Sequence, residues 1–298
     1  MADNNLIICF GPTEDTFLMC YGRLCAHKNA PAMLVNMLME DEDCNPMRLG
    51  WISMQPDFST GVFMSWVTGQ VGWSDGLALE LAGYVNPPDV ANAVSYLTFA
   101  DTDAGYFVRF RPGGGPDGRA WLLNVRPDYP DQISRLMSEV PDFTDALRYV
   151  LFGHGGTHIY VFRTGFVAHF EGAAKDPQHP LNQILTEFSK PGWTLQDGST
   201  LSAHDDRWFA LKFAHPDSQE VFMRFHLPAS MHEQLMELVD MTNKPDESLV
   251  IQKYYQELTA EYENNALQLA TAIPIVPQAT EATNFAFMQQ TTTTLMMW

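Results

Sequence analysis

A chain of 298 residues, 46% hydrophobic and 12% aromatic, can bury a sizeable core, and this composition excludes a disordered protein. Seventeen Lys+Arg against 36 Asp+Glu leave a net charge of −19, which disfavours nucleic-acid backbones and anionic membranes as partners. No apolar run is long enough to span a bilayer, so no membrane insertion is expected. The start MADNNLIICFGP lacks a basic n-region, which points to a cytoplasmic protein.

In chain order the sequence repeats one pattern: three short strand-like runs, then a helical one. The first unit covers about residues 4–46. LIICFGP, TFLMCYG and RLCAHK read as strands broken at Gly11-Pro12 and Gly22, and PAMLVNMLMED changes to helical period. The second unit, about 47–89, has strands LGWISMQP, GVFMSWVTG and QVGWSD and helix LALELAGYV. The third, about 90–143, has strands VSYLTFA, GYFVRFRPG and RAWLLNV and helix PDQISRLMSEV. Its insert GGGPDG is a hairpin tip; without the Lys-Ser/Thr ending it is no phosphate loop.

The fourth unit, about 144–192, has strands LRYVLFG, HIYVFRT and FVAHFEG and the Pro180-started helix PLNQILTEFS. The fifth, about 193–241, has strands STLSAHD, RWFALKF and EVFMRFHL and helix PASMHEQLMELVD. Aligning the middle strands on Phe17, Val62, Tyr106, Tyr160 and Phe209 gives a period of roughly 45–55 residues. Residues 1–241 are therefore expected to form one repeat-built domain, and 242–298 a C-terminal helix and polar tail. In that helix Ile251, Tyr254, Tyr255, Leu258, Tyr262 and Leu269 fall near one stripe, which leaves a homo-oligomer paired through it as an alternative to a monomer.

The expected class is mainly β with short helices. Two closed arrays fit five units of three strands plus a helix: a five-bladed β-propeller and the five-fold α/β-propeller of the guanidine-modifying enzymes. Short connections, such as Gly165 between HIYVFRT and FVAHFEG, favour the antiparallel meander of the β-propeller. The turn and aromatic strand in LFGHGGTHIYVF resemble uncharacterised repeat proteins of fungal type, over about residues 4–241. That resemblance implies a β-propeller character and no particular activity. Unit length is also similar to five-bladed lectin propellers, whose sugar-binding residues are not repeated here.

The chemistry is distributed sparsely. Cys9, Cys20, Cys25 and Cys44 all lie in the first unit without CxxC spacing, so reduced thiols are expected and no metal site is predicted. The Cys nucleophile of the guanidine-modifying enzymes lies late in the chain, and no cysteine follows Cys44. Three residues on from each middle-strand anchor stand Cys20, Ser65, Arg109, Arg163 and Lys212: a column with three cations in a chain short of them. Facing a central axis, Arg109, Arg163 and Lys212 would suit a carboxylate or an enolate-like oxygen. Lying across an outer strand, they would instead pair with surface acids.

His204 or His158, with Asp205 or Asp206, is an acid–base candidate because a His–Asp pair titrates near neutrality. Among the aromatic residues most tryptophans are assigned to packing, while Trp66 and Trp208, with Tyr106, Tyr160 and Ser65, are candidates for a ligand floor. Two functions stay open on this basis. One is a cofactor-independent cyclase or isomerase binding an apolar or anionic small molecule in an axial pocket. The other is a non-enzymatic lectin-like or protein-interaction module.

Overall fold

The computed structural model describes residues 6–242 apart from 23, 33, 36–37, 39–48, 57–60, 67–70, 75–80, 82–93, 102–104, 126–128, 218–219 and 243 onward, except for 272–273 and 287–288. It is mainly β, with few short helices. The strands form small three-strand antiparallel sheets, one per repeat. Unit one contains β1 (Leu6–Phe10), β2 (Phe17–Tyr21) and β3 (Leu24–Lys28). Unit two contains β4 (Leu49–Met54), β5 (Val62–Trp66) and β6 (Val71–Trp73). Unit three contains β7 (Val94–Phe99), β8 (Tyr106–Phe110) and β9 (Trp121–Asn124), and unit four β10 (Leu147–Phe152), β11 (His158–Phe162) and β12 (Gly165–His169).

Unit five departs from this plan. Its first strand is split into β13 (Thr194–Leu195) and β14 (Thr200–Leu201), both paired with β15 (Phe209–Ala214), and β16 (Glu220–His226) follows. The single strand expected over STLSAHD is thus shortened to two residues. The remainder turns, because Ser202 accepts hydrogen bonds from the backbone N–H groups of His204 and Asp205. Two short strands further on, β17 (Ala272–Ile273) and β18 (Phe287–Met288), pair with β16. The helix expected near 251–269 lies outside the described residues.

One hydrogen bond recurs in all five units and extends each first hairpin beyond its strands. The backbone N–H of Gly11, Gln55, Ala100, Gly153 and Ser202 donates to the carbonyl of Thr16, Gly61, Gly105, Thr157 and Trp208 at 2.7, 2.8, 2.8, 2.7 and 2.9 Å. The repeat is therefore a repeat of backbone geometry. Three first strands also share a β-bulge at the same place: Gly50, Ser95 and Arg148 are the extra residues before Trp51, Tyr96 and Tyr149.

Hydrogen bonding holds each sheet together, and side chains join sheet to sheet. β1 lies beside β4, β4 beside β7, β7 beside β10, β10 beside β14, and β14 beside β1. Middle strands such as YFVRF, HIYVF and FALKFA are buried along their whole length, because both faces of each sheet are covered. The core consequently lies between sheets. One cluster joins the first and second units through Ile7, Leu18, Ile52 and Met64; another runs from the second unit into the fifth.

Helices bridge successive units. Those described in full are α1 (Tyr129–Glu139), α2 (Phe143–Ala146), α3 (Pro180–Glu187) and α4 (Ala229–Thr242); α1, α3 and α4 lie close to the runs whose period predicted them, and α2 is an additional single turn before β10. Phe143 of α2 sits between Trp121 of unit three and Phe162 of unit four. Phe188, closing α3, stacks on Phe213 of unit five at 4.0 Å between ring centroids. α4 lies against β2 and β3 of unit one, burying Met231, Leu235, Leu238 and Val239 with Phe17, Met19 and Tyr21. Among the described residues no helix is long and apolar enough to cross a membrane.

Candidate functional site

The split first strand of unit five makes the site. Gln196, Asp197, Gly198 and Ser199 form a turn closed by Ser199 N–H donating to the Gln196 carbonyl, with Gly198 at φ +79°. That left-handed geometry at the third turn position calls for glycine. Opposite this turn stands Lys212 of β15: its N–H donates to Ser199 Oγ at 3.0 Å and its carbonyl accepts from Gln196 N–H at 2.9 Å. A Cβ added to Gly198 would fall 2.6 Å from Lys212 Nζ and 2.8 Å from Ile7 Cδ1. The turn therefore brings its backbone, where units two to four place a large ring, up against the amine and the first unit.

Those large rings are the bulge partners. Trp51, Tyr96 and Tyr149 contact one another pairwise, with centroids 5.2, 4.8 and 5.1 Å apart. Each bulge adds one residue and re-aims the next side chain. Trp51 Nε1–H donates to the Leu97 carbonyl at 3.0 Å, so the indole is pinned to the neighbouring unit. The Tyr96 hydroxyl donates to Asp197 Oδ2 at 2.6 Å, and Arg148, the bulge residue of β10, pairs with Asp197 Oδ1. The Arg148 guanidinium also lies 5.6 Å from the centre of the Tyr149 ring.

The electrostatics follow from burial. Lys212 is 3% exposed, and loss of water pulls its ammonium down to about 7 despite the opposing pull of Asp197. An amine of this kind is about half neutral at neutral pH and is competent as a base or nucleophile. Burial, then the Asp197 carboxylate, pushes the phenols of Tyr96 and Tyr149 up, which keeps both protonated, the Tyr96 proton being held on Asp197. Burial opposes the charge of Arg148, but Asp197 overrides it and holds the guanidinium ionised. An amine, a fixed ion pair, two phenols and an indole are thus assembled in one place. Ser199 and Trp51 also line a cavity of about 40 Å³ to which all five first strands contribute, through Cys9, Ser53, Thr98 and Leu151 among others.

The cation column is redrawn by strand register. β1–β2, β4–β5, β7–β8, β10–β11 and β14–β15 pair their ends as Phe10↔Phe17, Met54↔Val62, Phe99↔Tyr106, Phe152↔His158 and Leu201↔Phe209. The fourth anchor is accordingly His158, not Tyr160, and the column reads Cys20, Ser65, Arg109, Val161 and Lys212. Arg163 lies beyond β11, exposed, with its N–H on the Ala146 carbonyl. Arg109 is buried and donates to the Thr144 carbonyl at 2.7 Å; burial and then the charge of Arg163 lower its pKa. None of the three cations is in the wall of the cavity; Lys212 is joined to it by the bond of its backbone N–H to Ser199.

The histidine candidates go elsewhere. His204 is exposed, and Asp205 is occupied by Arg207 through Nε at 2.9 Å and a second nitrogen at 2.5 Å, so no His204–Asp205 pair forms. Burial alone would raise Asp205, yet the hydrogen bonds of Arg207 hold it below the ordinary range. Asp206 lies 3.6 Å from His179, beyond a hydrogen bond. His158 is fully buried, bonded to the Gly156 carbonyl and to Gln132, and stacked on His169, which meets Glu171 at 2.9 Å. No group of three metal-ligating side chains occurs among the described residues.

Of the expected ligand floor, Trp208 packs in the core between the fifth and first units, while Tyr106 and Tyr160 are buried in the cluster spanning units two to five. Ser65 is buried opposite Trp51, and the side chain of Trp66 lies outside the described residues. Cys9, Cys20 and Cys25 are free thiols, and burial pushes Cys9 up to about 12, out of reach of nucleophilic chemistry; Cys44 lies outside the described residues. Trp51, Tyr96, Arg148, Tyr149, Asp197 and Ser199 were not singled out as a site by the sequence. Two signals pointed there: a residue pair ending in a large ring in three first strands, and the Asp-Gly turn interrupting the fifth. No family model, curated protein or solved structure matches the chain.

Proposed function

We propose that the five sheets are the blades of a five-bladed β-propeller and that the cluster around Lys212 is a small-molecule site beside its axis. Side-by-side placement of the five first strands, returning from β14 to β1, supports the ring. The function that fits this cluster is cofactor-independent proton transfer on a small oxygenated molecule, as an isomerase or cyclase requires. Lys212 would take or return a proton, and the Tyr149 phenol would donate to a developing oxyanion. Arg148 and Asp197 would hold that geometry, and Trp51 would provide an apolar wall.

The observation that carries this reading is a fully buried lysine lowered to about 7 next to an aromatic wall and a fixed ion pair. Structural ion pairs also perturb titration, so the assignment rests on the combination of groups and not on the shift alone. A cavity of about 40 Å³ holds about three waters, which limits the ligand to a small one. Native mass spectrometry of the protein after exposure to a metabolite extract tests the reading. The wild type is expected to retain a small ligand that Lys212→Met fails to retain. Equal retention by both proteins would remove Lys212 from the site.

A further inference from the structure

We propose that Cys20 and Cys25 are a redox pair that closes into a reversible disulfide on reaction with a small hydroperoxide. Strand register carries this assignment, and nothing in it depends on the cluster around Lys212. Residues 22 and 23 alone separate β2 from β3, with Gly22 at φ +58°, and the strands pair as Tyr21↔Leu24, Cys20↔Cys25 and Met19↔Ala26. In a two-residue hairpin the pair beside the turn exchanges both backbone hydrogen bonds. The next pair, here Cys20 and Cys25, exchanges none, and its side chains are the closer ones. Cα atoms in such a pair stand about 4.5 Å apart, inside the span of roughly 4.4–6.8 Å that a disulfide bridges. Directly opposed residues also share a face of the sheet. Here that face meets unit two: Cys20 packs with Leu18, Ile52 and Met64, and Cys25 lies against the same cluster. Phe17, Met19 and Tyr21 take the other face and pack with α4.

Access divides the work between the two thiols. Cys25 is partly exposed and Cys20 is fully buried, so a small oxidant meets Cys25 first. Burial, then the hydrogen bond to the Cys25 thiol, holds Cys20 well above the ordinary thiol range, which keeps it protonated until its partner has reacted. With hydrogen peroxide, the Cys25 sulfur attacks one oxygen and the O–O bond breaks. The departing hydroxide takes the thiol proton as water, leaving a sulfenic acid on Cys25. The Cys20 sulfur then attacks the Cys25 sulfur, the S–O bond breaks, and the hydroxyl leaves with the Cys20 proton as a second water. The two thiols lose two electrons and the peroxide gains them. The cross-link closes a loop of only a few residues and so removes little entropy from the unfolded chain, which leaves it open to reduction by a small thiol. Cys9 bonds elsewhere, its thiol donating to the Phe10 carbonyl at 3.6 Å, and among the described residues no third metal-ligating side chain joins the pair.

The test treats the reduced full-length chain with hydrogen peroxide at neutral pH, blocks the remaining thiols with iodoacetamide in denaturant and maps the tryptic peptides. Cleavage after Arg23, Lys28 and Arg48 puts Cys9 and Cys20 in residues 1–23, Cys25 in 24–28 and Cys44 in 29–48. The expected product is 24–28 joined to 1–23, two hydrogens lighter than the free peptides together, from protein that runs as a single chain on a non-reducing gel. It should persist in Cys9→Ser and Cys44→Ser and be released by dithiothreitol. It should be lost in Cys25→Ser, a substitution at a partly exposed position, with Cys20 then recovered alkylated. Cys25 joined to Cys9 or Cys44, or joined between two chains, would overturn the proposal. So would Cys25 carried on to the sulfinic acid while Cys20 stays an alkylated thiol, or both thiols left alkylated after an exposure that oxidises glutathione.

Discussion

At the scale of single residues, the energetics of Lys212 dominate. An ammonium taken out of water costs several kcal/mol, and here burial pulls the amine down to about 7. The unfolded chain holds that proton until about pH 10.4. Between these values the unfolded state binds more protons, so stability contributed by this site rises with pH, by at most about 1.4 kcal/mol per unit. Below pH 7 both states are charged and the contribution is flat. Cys9, pushed up to about 12, works in the opposite sense once unfolded thiols ionise near pH 8.5. The clean window is therefore pH 7 to 8.5. Denaturant midpoints there should show wild type gaining about 2 kcal/mol relative to Lys212→Met; parallel slopes for the two proteins would contradict the buried-amine account.

Lys212 was legible in the sequence as a cation three residues on from its middle-strand anchor, in the same column as Arg109. Arg163 was read into the same column because Tyr160 and His158 are equally good strand residues, and only pairing of Phe152 with His158 sets the register. Asp197 and Arg148 were not legible. An acidic residue before glycine and a basic residue near a strand start are ordinary surface signals, and what makes them a pair is the meeting of β10 with the β13–β14 turn.

At the scale of elements, bulges and one turn convert a repeated structural strand into a site. The extra residues Gly50, Ser95 and Arg148 differ in chemistry but occupy the same backbone position, so the repeat conserves where the following ring points. Unit five replaces the ring by the Asp197-Gly198 turn and thereby leaves space for an amine from the next strand. Gly198→Val tests this. A β-branched residue at φ +79° is strained, and its Cβ would meet Nζ and Ile7 Cδ1. A loss of about 2–4 kcal/mol is expected by thermal or denaturant unfolding. A variant as stable as wild type would show that the turn does not set the position of the amine.

The helices belong to this scale too. Their period placed α1, α3 and α4 closely, because an apolar stripe is a local property. Which sheet each stripe covers is not local. Phe188 reaches forward to Phe213, and α4 reaches from the last unit to the first.

At the scale of the whole molecule, continuity of packing decides how the protein unfolds. If the units form a ring, every sheet has two neighbours and no end from which to fray. Phe188→Ala at the seam between units four and five and Leu235→Ala at the seam between five and one should then each cost about 2–5 kcal/mol and shift one shared transition. Two separated transitions in Leu235→Ala, detected by tryptophan fluorescence and far-ultraviolet dichroism, would instead indicate an open row of units.

The sequence by itself determined the strand-rich class, the five-unit repeat and the helices after the last three units, and it put Lys212 among several candidate residues. These follow from properties carried within short windows: β-favouring composition, helical period, turn residues, and a charge at a repeated strand position. Tertiary structure alone decided the register that excludes Arg163, the bulges that turn three aromatic rings together, and the pairing of Tyr96 and Arg148 with Asp197. The last two depend on contacts between residues about 50 to 100 positions apart, and such contacts leave no periodic mark on the chain.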